Sequence, residues 1–371
     1  MNTQNNTYDS IIIGAGVAGA TIAYKLTQKK QKVLVIDKEG IAKGGSGSAG
    51  AFVSPKIGVG SSLQSLTNEA FEFSKDFYLD TCPQFFHQTG VLRIAKDEKD
   101  SEKFPLYEKV NQNKYLKYTQ EELKALGIDS HLNNFYFPEA GDCDAVEVCD
   151  FLLKNIEVVR EEVTEVKKEN NLWCIGKYRA KNIILATGYE NTIMDVDYMH
   201  IRGTWGTRGD YFSSLKLGMS VHQSLSIGAN NKGIIKIGAT HQHQIKTKQP
   251  CEAQEMEPLQ EKASLLMKSR DFKLKKLYCG MRAGSKDYAP LVGKVIDVEY
   301  MLKAHPKLIK GEKHPFHYID NLYMFNGLGG RGFVFAPFLA QMLSEVMIED
   351  KEIDKRVNPD RLFFKWCRKL I

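Results

Sequence analysis

Three glycines and an aspartate near the N-terminus have the types and spacing that a dinucleotide site needs. Gly14, Gly16 and Gly19 follow a short apolar run, and Asp37 ends the next one. The first glycine permits a tight turn, the second lets the backbone approach a pyrophosphate, and the third lets a helix pack on a strand. Asp37 would accept hydrogen bonds from ribose hydroxyls and repel a 2′-phosphate. The alternative is an ordinary glycine-rich turn with Asp37 as a surface charge.

Two further segments would bring backbone groups close to a bound dinucleotide. Residues 44–50, Gly-Gly-Ser-Gly-Ser-Ala-Gly, come just after the predicted ribose-binding strand, where a second loop could reach a pyrophosphate or a flavin ring. Residues 186–188, Ala-Thr-Gly, close another apolar run. A flexible linker is the alternative for the first segment. The second segment is a weak signal by itself.

The elements that would position these residues follow from hydrophobic patterning. Residues 8–13 and 33–36 predict buried strands, and residues 20–28 between them predict a helix. This order is typical of a dinucleotide-binding βαβ unit. Residues 183–188 predict another buried strand, and residues 337–348 predict a helix with an apolar face. The sequence therefore predicts an α/β fold.

The composition limits the class of protein. The 371 residues are 43% hydrophobic, and 51 Lys+Arg against 45 Asp+Glu give a net charge of +6, which permits a polyanionic partner without requiring one. The apolar stretch 11–24 contains glycines and is too short to span a bilayer, so no membrane span is expected. Residues 1–10 lack the basic region of a secretory signal. Seven cysteines without CxxC pairs predict reduced thiols, a cytoplasmic location and no metal site.

Two sequence segments near the C-terminus complete the set of motifs. Residues 280–293 are GMRAGSKDYAPLVG, and residues 325–337 are FNGLGGRGFVFAP. Together with the N-terminal glycines, the 44–50 run and the strand end at 186–188, they make the chain similar to the D-amino-acid oxidase/glycine oxidase superfamily of FAD enzymes. The resemblance extends over essentially the whole chain.

Within that superfamily, the chain most resembles the FAD-dependent C-terminal domain of the bifunctional tRNA 5-methylaminomethyl-2-thiouridine biosynthesis proteins. This narrower resemblance rests on residues 68–73 and 280–282, the insertion 295–318 and the tail 358–362. Glycine oxidases that act on small molecules need neither the insertion nor the tail. The resemblance implies only the oxidative reaction, and would leave the next step to a separate methyltransferase.

The resemblance implies a Rossmann-like FAD-binding domain of glutathione-reductase type with an inserted mixed-sheet α+β substrate domain. Residues 1–85, 140–200 and 278–371 would form the discontinuous FAD-binding domain. Residues 86–139 and 201–277 would form the substrate-binding domain.

The resemblance also implies which residues hold FAD, and that they hold it without a covalent bond. In sarcosine oxidases, a cysteine that aligns with Gly280 attaches the flavin, whereas the neighbouring Cys279 would point the other way along a strand. The residues expected at the cofactor are Gly14, Ala15, Gly16, Val17, Ala18, Gly19, Asp37, Lys38, Gly45, Ser46, Gly47, Ser48, Ala49, Gly50, Val163, Ala186, Thr187, Gly188, Gly327, Leu328, Gly329, Gly330, Arg331 and Gly332.

The implied substrate is the carboxymethylaminomethyl group of uridine at the wobble position, in the tRNA anticodon loop. Oxidation of its glycine-like CH2 and hydrolysis would give 5-aminomethyl(-2-thio)uridine and glyoxylate. Arg282 is expected to clamp the carboxylate, and Arg331 to stabilise the reduced flavin. A surface charge and a helix-cap arginine are the respective alternatives. The alternative substrate is a free small amino acid such as glycine, sarcosine or a D-amino acid.

Three basic clusters bear on whether the substrate is RNA. Lysines and arginines concentrate in residues 273–276, 303–313 and 361–369. Such clusters attract the phosphates of RNA through counterion release. Lysine-rich surfaces also solubilise ordinary enzymes, so charge alone leaves the two interpretations balanced.

Several other side chains leave two interpretations open. His241 and His243 would contact substrate or transfer a proton, or they are simply solvated. Trp205, Arg208 and Tyr211 would line the active site or stack on a flipped base, or they pack within a sheet.

Overall fold

The computed structural model of the protein describes residues 6–190, 193–243 and 245–370. Its helices are α1 (Val17–Gln28), α2 (Ser62–Thr81), α3 (Glu98–Ser101), α4 (Phe104–Val110), α5 (Gln120–Ala125), α6 (Ala145–Leu153), α7 (Glu257–Leu266), α8 (Val298–Ala304), α9 (Gly332–Glu349) and α10 (Phe363–Cys367). Its strands are β1 (Thr7–Ile13), β2 (Val33–Asp37), β3 (Phe52–Val53), β4 (Phe86–His87), β5 (Val91–Ile94), β6 (Asn134–Phe137), β7 (Gly141–Cys143), β8 (Glu157–Arg160), β9 (Lys167–Glu169), β10 (Leu172–Ile175), β11 (Tyr178–Leu185), β12 (Arg202–Phe212), β13 (Ser220–His222), β14 (Ser226–Ile227), β15 (Ile234–Gly238), β16 (Gln242–His243), β17 (Lys273–Gly284), β18 (Leu291–Ile296) and β19 (Tyr318–Asn326).

The first sheet contains the predicted strand–helix–strand unit β1–α1–β2. Its path is β18–β19–β11–β1–β2–β8, and every neighbouring pair from β19 to β8 is parallel. Ile12 and Val35 pack against α1, α2 and α9, whereas Ile11 and Leu34 pack on the opposite face with α8 and α10. Because helices cover both faces, the central strands are continuous apolar runs.

The second sheet is mixed, with the path β16–β12–β15–β14–β13–β5–β6 and with β17 paired to β12. The β12–β17 pair is antiparallel and extends from Arg202 opposite Gly284 to Phe212 opposite Lys273. A small third sheet consists of β3, β7 and β4. The predicted domain boundary at residue 278 falls inside β17, and the division into domains stays a prediction.

One helix is more apolar than the sequence analysis anticipated. Among the described residues, Gly329–Glu349 is long and apolar enough to cross a membrane by length and composition alone, with a mean hydropathy of 1.3. More than half of it, 56%, is buried inside the protein, where α9 packs against α1 and α2. A core helix with neighbours on several sides has this composition. The stretch 11–24 is therefore not the only long apolar segment of the chain, although the sequence analysis considered no other as a membrane span.

Two cysteines are not free thiols. Cys251 forms a disulfide with Cys279 on β17, with their Cα atoms 5.8 Å apart. The expectation of seven reduced thiols is wrong for this pair. The structure brings them together because Glu255, close to Cys251 in the chain, accepts a hydrogen bond from Thr207 on β12, the partner strand of β17.

Thiol titration should show this pairing directly. The remaining cysteines are buried, and burial raises the pKa of the Cys82 and Cys367 thiols to about 11. Without reductant, we expect almost no thiol to react with Ellman's reagent in the folded protein, and 5 to react after unfolding in guanidinium. Reduction before unfolding should give 7. As a control, Cys251→Ser should add one reactive thiol without reductant. A count of 7 in the unreduced, unfolded protein would contradict the disulfide.

Candidate cofactor and substrate site

The glycine turn between β1 and α1 brings backbone segments into direct contact. Gly14 has a φ of +112°, and a Cβ there would lie 2.3 Å from the carbonyl oxygen of Ala186. A Cβ on Gly19 would lie 1.8 Å from the carbonyl oxygen of Gly14. Both positions need glycine so that α1 can begin directly beside the ends of β1 and β11.

The N-terminus of α1 presents unpaired backbone donors to a cavity. The N–H of Val17 donates to the Ser46 hydroxyl at 2.9 Å, whereas the N–H groups of Ala18 and Gly19 have no hydrogen-bond partner within the described ranges. Gly16, Val17 and Ala18 line a cavity of about 310 Å³, hereafter the smaller cavity. Unpaired amides at the positive end of a helix dipole suit a pyrophosphate.

Asp37 lies where the smaller cavity meets a second one of about 720 Å³, hereafter the larger cavity. Its Oδ2 accepts a hydrogen bond from the N–H of Ala15, and its Oδ1 accepts from the N–H groups of Glu39 and Gly40, each at 2.8 Å. These three bonds hold the carboxylate in place and leave about one lone pair, on Oδ2, that a ribose hydroxyl could use.

The larger cavity contains five of the residues predicted at the cofactor. It lies at the carboxyl ends of β1, β2 and β11, which is where parallel sheets bind ligands. Its walls also include Tyr189, His200 and Trp366, which the sequence analysis missed. The predicted cofactor residues in its lining are Gly14, Asp37, Lys38, Val163 and Thr187.

The smaller cavity is formed where loop 44–50 packs against the backbone of β17. A Cβ on Gly45 would lie 2.5 Å from the carbonyl oxygen of Met281, and one on Gly280 would lie 2.8 Å from the Ser48 hydroxyl. The predicted residues that line this cavity are Gly16, Val17, Ala18, Asp37, Gly45, Ser46, Ser48, Ala49, Gly50, Ala186, Gly188, Arg282, Leu328, Gly329, Gly330 and Gly332.

Other predicted cofactor residues shape the turns without lining either cavity. Ala15 and Gly19 belong to the α1 turn, as described above. A Cβ on Gly47 would lie 2.1 Å from the carbonyl oxygen of Ala42, so this glycine permits the loop to close on itself. Gly327 has a φ of +72°, which only glycine adopts easily.

Arg282 extends its guanidinium into the smaller cavity without a counter-charge. Nη1 donates to the carbonyl oxygen of Thr240 at 3.2 Å, and no carboxylate in the described part of the chain forms an ion pair with this side chain. Burial lowers the pKa of the guanidinium. A Cβ on Gly206 would lie 2.3 Å from Nη1, so glycine at this position on β12 leaves room for the group. A half-buried, unpaired guanidinium is suited to binding a carboxylate.

His241 lies on the rim of the same cavity, although its side chain remains partly solvated. Burial and the charge of Arg282 lower its pKa, so the imidazole is neutral at neutral pH. Its Nδ1 lies 2.9 Å from the carbonyl oxygen of Ala239, an acceptor, which assigns the proton to Nδ1. Nε2 is then left as a proton acceptor beside Arg282.

The structure places Arg331 elsewhere than predicted. Its side chain enters a separate pocket of about 70 Å³, where Nη1 donates to the carbonyl oxygen of Ser54 at 3.4 Å. The turn before α9 presents its glycines to the smaller cavity and directs this side chain to the opposite side. The predicted role of Arg331 in stabilising a reduced flavin is therefore not supported by the geometry.

Alternation along β12 decides which of its side chains reach the cavity. Gly206 and Arg208 line it, and Arg208 forms an ion pair with Asp210. Trp205 and Tyr211 line neither cavity and are buried, which favours packing within the protein for both. The two-residue period of a strand could have separated these groups from the sequence alone.

Comparison with known proteins gives one family and a consistent set of relatives. A family model described as FAD dependent oxidoreductase matches residues 9–346. A tRNA 5-methylaminomethyl-2-thiouridine biosynthesis bifunctional protein of Legionella pneumophila is 23% identical over 96% of this chain and 57% of that protein. The protein of the same name from Shewanella amazonensis is 24% identical over 98% of this chain and 60% of that protein. The chain thus spans less than two thirds of these relatives.

The fold also matches solved structures. Glycine oxidase from Bacillus cereus superposes with a TM-score of 0.76 at 18% identity, covering 93% of this chain and 96% of that one. This similarity shows that the mixed α/β fold is that of FAD-binding enzymes of this type.

Substitution of Gly14 should separate cofactor binding from backbone strain. In Gly14→Ala the new Cβ meets the Ala186 carbonyl, so we expect loss of most bound flavin and a destabilisation of about 1–3 kcal/mol. Gly233→Ala is the matched control, because Gly233 also has a positive φ, +82°, but no atom within 4 Å of its Cβ position. Flavin absorbance per protein and thermal unfolding measure the two effects. Equal flavin loss in both variants would refute the importance of the close contact.

Proposed function

This chain belongs to the FAD dependent oxidoreductase family, and on that premise we propose that it removes the carboxymethyl group from 5-carboxymethylaminomethyl(-2-thio)uridine at the tRNA wobble position. In the balanced reaction, R–CH2–NH–CH2–COO⁻ and water give R–CH2–NH2 and OHC–COO⁻, which is glyoxylate. Two electrons and two protons are released. The flavin, when bound, supplies the acceptor for this hydride chemistry.

The proposal assigns the first sheet and its helices to a Rossmann-like FAD-binding domain of glutathione-reductase type, and the second sheet to an inserted substrate domain. The unpaired N–H groups of Ala18 and Gly19 fit the pyrophosphate, and Asp37 fits a ribose. FAD would be held without a covalent bond. The pairing of Cys279 with Cys251 supports this, because it leaves no thiol at that position for attachment.

The observation that carries the proposal is the unpaired Arg282 guanidinium in the smaller cavity. It would bind the carboxylate of the carboxymethyl group through two parallel hydrogen bonds and orient the neighbouring CH2. Thr240 restrains the guanidinium through its carbonyl, and Gly206 leaves it space. Most of the catalytic contribution of these residues would be positioning.

His241 is the group we assign to the substrate's amine proton. A secondary amine must be neutral before its neighbouring C–H can leave as hydride, and an ammonium would block the reaction. The Nε2 of His241, neutral at neutral pH, can accept that proton on the rim of the cavity. Its lowered pKa means that protonation, and loss of this acceptor, occurs only as the pH falls into the acidic range.

A basic patch near His200, which lines the larger cavity, supports a polyanionic substrate. Arg202, Lys286 and Lys369 together lower the pKa of His200, after the effect of burial, and Lys365 lies near Lys286. In the part of the chain that the structure describes, these four cations form no ion pair with an acid. Arg202 pairs across the sheet with a residue two positions from Arg282, a separation of roughly 7 Å along the strand. The phosphates of an anticodon loop would fit here.

Some residues of the predicted basic clusters are less available to RNA, because they form ion pairs with acidic side chains. Lys307 forms an ion pair with Glu312 at 3.4 Å, and Arg361 forms one with Asp287 at 2.8 Å. The patch of Arg202, Lys286, Lys365 and Lys369, here called the Lys369 patch, is therefore the part that we assign to RNA.

The proposal has a cellular setting. The reaction would take place in the cytoplasm, with tRNA as the partner and a separate methyltransferase acting on the aminomethyl product. It would use neither a membrane nor a metal ion. Within the described ranges, no group of three or more His, Cys, Asp or Glu side chains is placed to hold a metal.

Nucleoside mass spectrometry with a matched arginine variant tests the reaction. Flavin-loaded protein should convert carboxymethylaminomethyluridine in tRNA to aminomethyluridine and glyoxylate. Arg282→Met should retain its flavin but lose about 30-fold or more in kcat/KM, since removing one partner of a buried charge contact costs roughly 2 kcal/mol or more. Arg270→Met, at an exposed arginine, is the control and should behave as the parent protein.

The same protein tested on free amino acids decides between the two substrates. If glycine, sarcosine or D-alanine bleaches the flavin under anaerobic conditions while modified tRNA stays unchanged, the small-molecule alternative replaces the proposal. Turnover of tRNA by Arg282→Met at the parent rate would remove Arg282 from its role.

Neutralising the Lys369 patch should weaken tRNA use selectively. The double variant Lys286→Gln/Lys369→Gln should raise KM for tRNA and reduce the slope of log kcat/KM against log salt by about 1–2, with kcat unchanged. Lys124→Gln, at an exposed lysine on α5, is the control. An unchanged salt dependence in the double variant would show that RNA binds elsewhere.

A further inference from the structure

The pocket that receives Arg331 collects positive charge. It has a volume of about 70 Å³, and its lining includes Lys56, Arg93 and Arg331. None of its lining residues belongs to the smaller or the larger cavity. The remaining lining residues are Ser54, Pro55, Ile57, Val91, Phe137 and His222.

These three cations have no close counter-charge. In the described residues none of them forms an ion pair within 4 Å, and the one hydrogen bond from their charged groups is that of Arg331 to the Ser54 carbonyl. Asp100, which accepts a hydrogen bond from Tyr107 at 3.0 Å, compensates part of the charge of Arg93 from beyond ion-pair distance. The pocket therefore holds an excess of positive charge.

The charges also act on one another. Burial, together with the charges of Arg331 and Arg93, lowers the pKa of Lys56. Burial and Arg93 lower the pKa of Arg331 to about 10. Like charges brought together in a partly desolvated pocket destabilise a fold unless something compensates them. A bound anion would provide that compensation.

His222 adds a polar atom without a partner to the same pocket. Its Nε2 is buried and makes no hydrogen bond. Burial and the charges of Arg93 and Arg331 lower its pKa to about 3, so the ring is neutral near neutral pH. The ring packs edge-on against Phe52 at 4.5 Å between centroids, and Phe52 lines the smaller cavity. This buried nitrogen, which has no partner among the described residues, is therefore available to an oxygen of a ligand in the pocket.

We propose that this pocket binds a small doubly charged oxyanion of the phosphate or sulfate class. A cavity needs roughly 10–15 Å³ to hold one water molecule. The pocket of about 70 Å³ can therefore hold the few oxygens of such an ion but not a nucleotide. Lysine and arginine are the side chains that bind such oxygens, and three positive charges favour a dianion over a monoanion. This site is separate from the proposed tRNA chemistry and does not depend on it.

The anion would connect the two large sheets. Arg93 lies on β5 and His222 on β13, both in the second sheet, whereas Arg331 immediately precedes α9, which packs on the first sheet. Lys56 comes from the segment after β3. An ion held by all of these groups would stabilise the contact between the sheets and shield the wall behind Phe52 from three positive charges.

Anion-dependent unfolding of the flavin-loaded protein tests the site. Sodium phosphate or sulfate should raise Tm by a few degrees in a saturable manner, whereas sodium chloride at matched ionic strength should not. Arg93→Met should abolish the phosphate effect and, without phosphate, should unfold no earlier than the parent protein, because one repelling charge is gone. Arg270→Met, the exposed control, should keep the effect.

A direct measurement of phosphate binding distinguishes loss of the anion site from poor folding of a variant. Calorimetry with inorganic phosphate should give one site per chain, which Lys56→Met should weaken at least tenfold while the flavin spectrum stays that of the parent. Absence of saturable binding, an equal response to chloride, or an undiminished response in both Arg93→Met and Lys56→Met would each overturn the proposal.

Discussion

The site depends on one close contact between backbones. Loop 44–50 passes between the start of α1 and β17 at distances that exclude a Cβ on Gly45 and Gly280. Because side chains are absent there, two serine hydroxyls of the loop reach backbone groups on either side. Ser46 accepts from the N–H of Val17, and Ser48 donates to the carbonyl of Cys279. One short loop thus joins the start of α1 to β17, the strand that bears Arg282.

The partners of the arginines explain their different roles. Arg208 is compensated by Asp210, stacks on the ring of Tyr278 at 4.0 Å and donates to the carbonyl of Ser48. Arg282, on the neighbouring strand, has among the described residues only the carbonyl of Thr240 as a hydrogen-bond partner. Burying a charge without a counter-charge is unfavourable, so the compensated arginine supports the loop while the other is available to a ligand.

Local signals predicted the β1–α1–β2 part of the fold. The apolar runs and the glycine spacing located β1, α1 and β2, because periodicity and positive-φ turns are properties of neighbouring residues. The direction of the Arg331 side chain was beyond such reasoning, since it depends on a contact with Ser54, far away in the chain. The same holds for Cys251 and Cys279, which are 28 residues apart and meet only through the fold.

The bulge in the β12–β17 pair separates a short lysine-rich end of β17, residues 273–275, from the longer part that bears Arg282. Pairing is regular from Arg202 to Asp210 and shifts between Asp210 and Tyr211, so that side-chain alternation starts again beyond that point. A residue gained or lost in the short end, residues 273–275, would change the pairing there without changing the direction of the side chains in the longer part of β17. The same insertion between Cys279 and Arg282 would turn the guanidinium to the opposite face of the sheet. A change of chain length at residues 273–275 would therefore leave the direction of the Arg282 side chain unchanged.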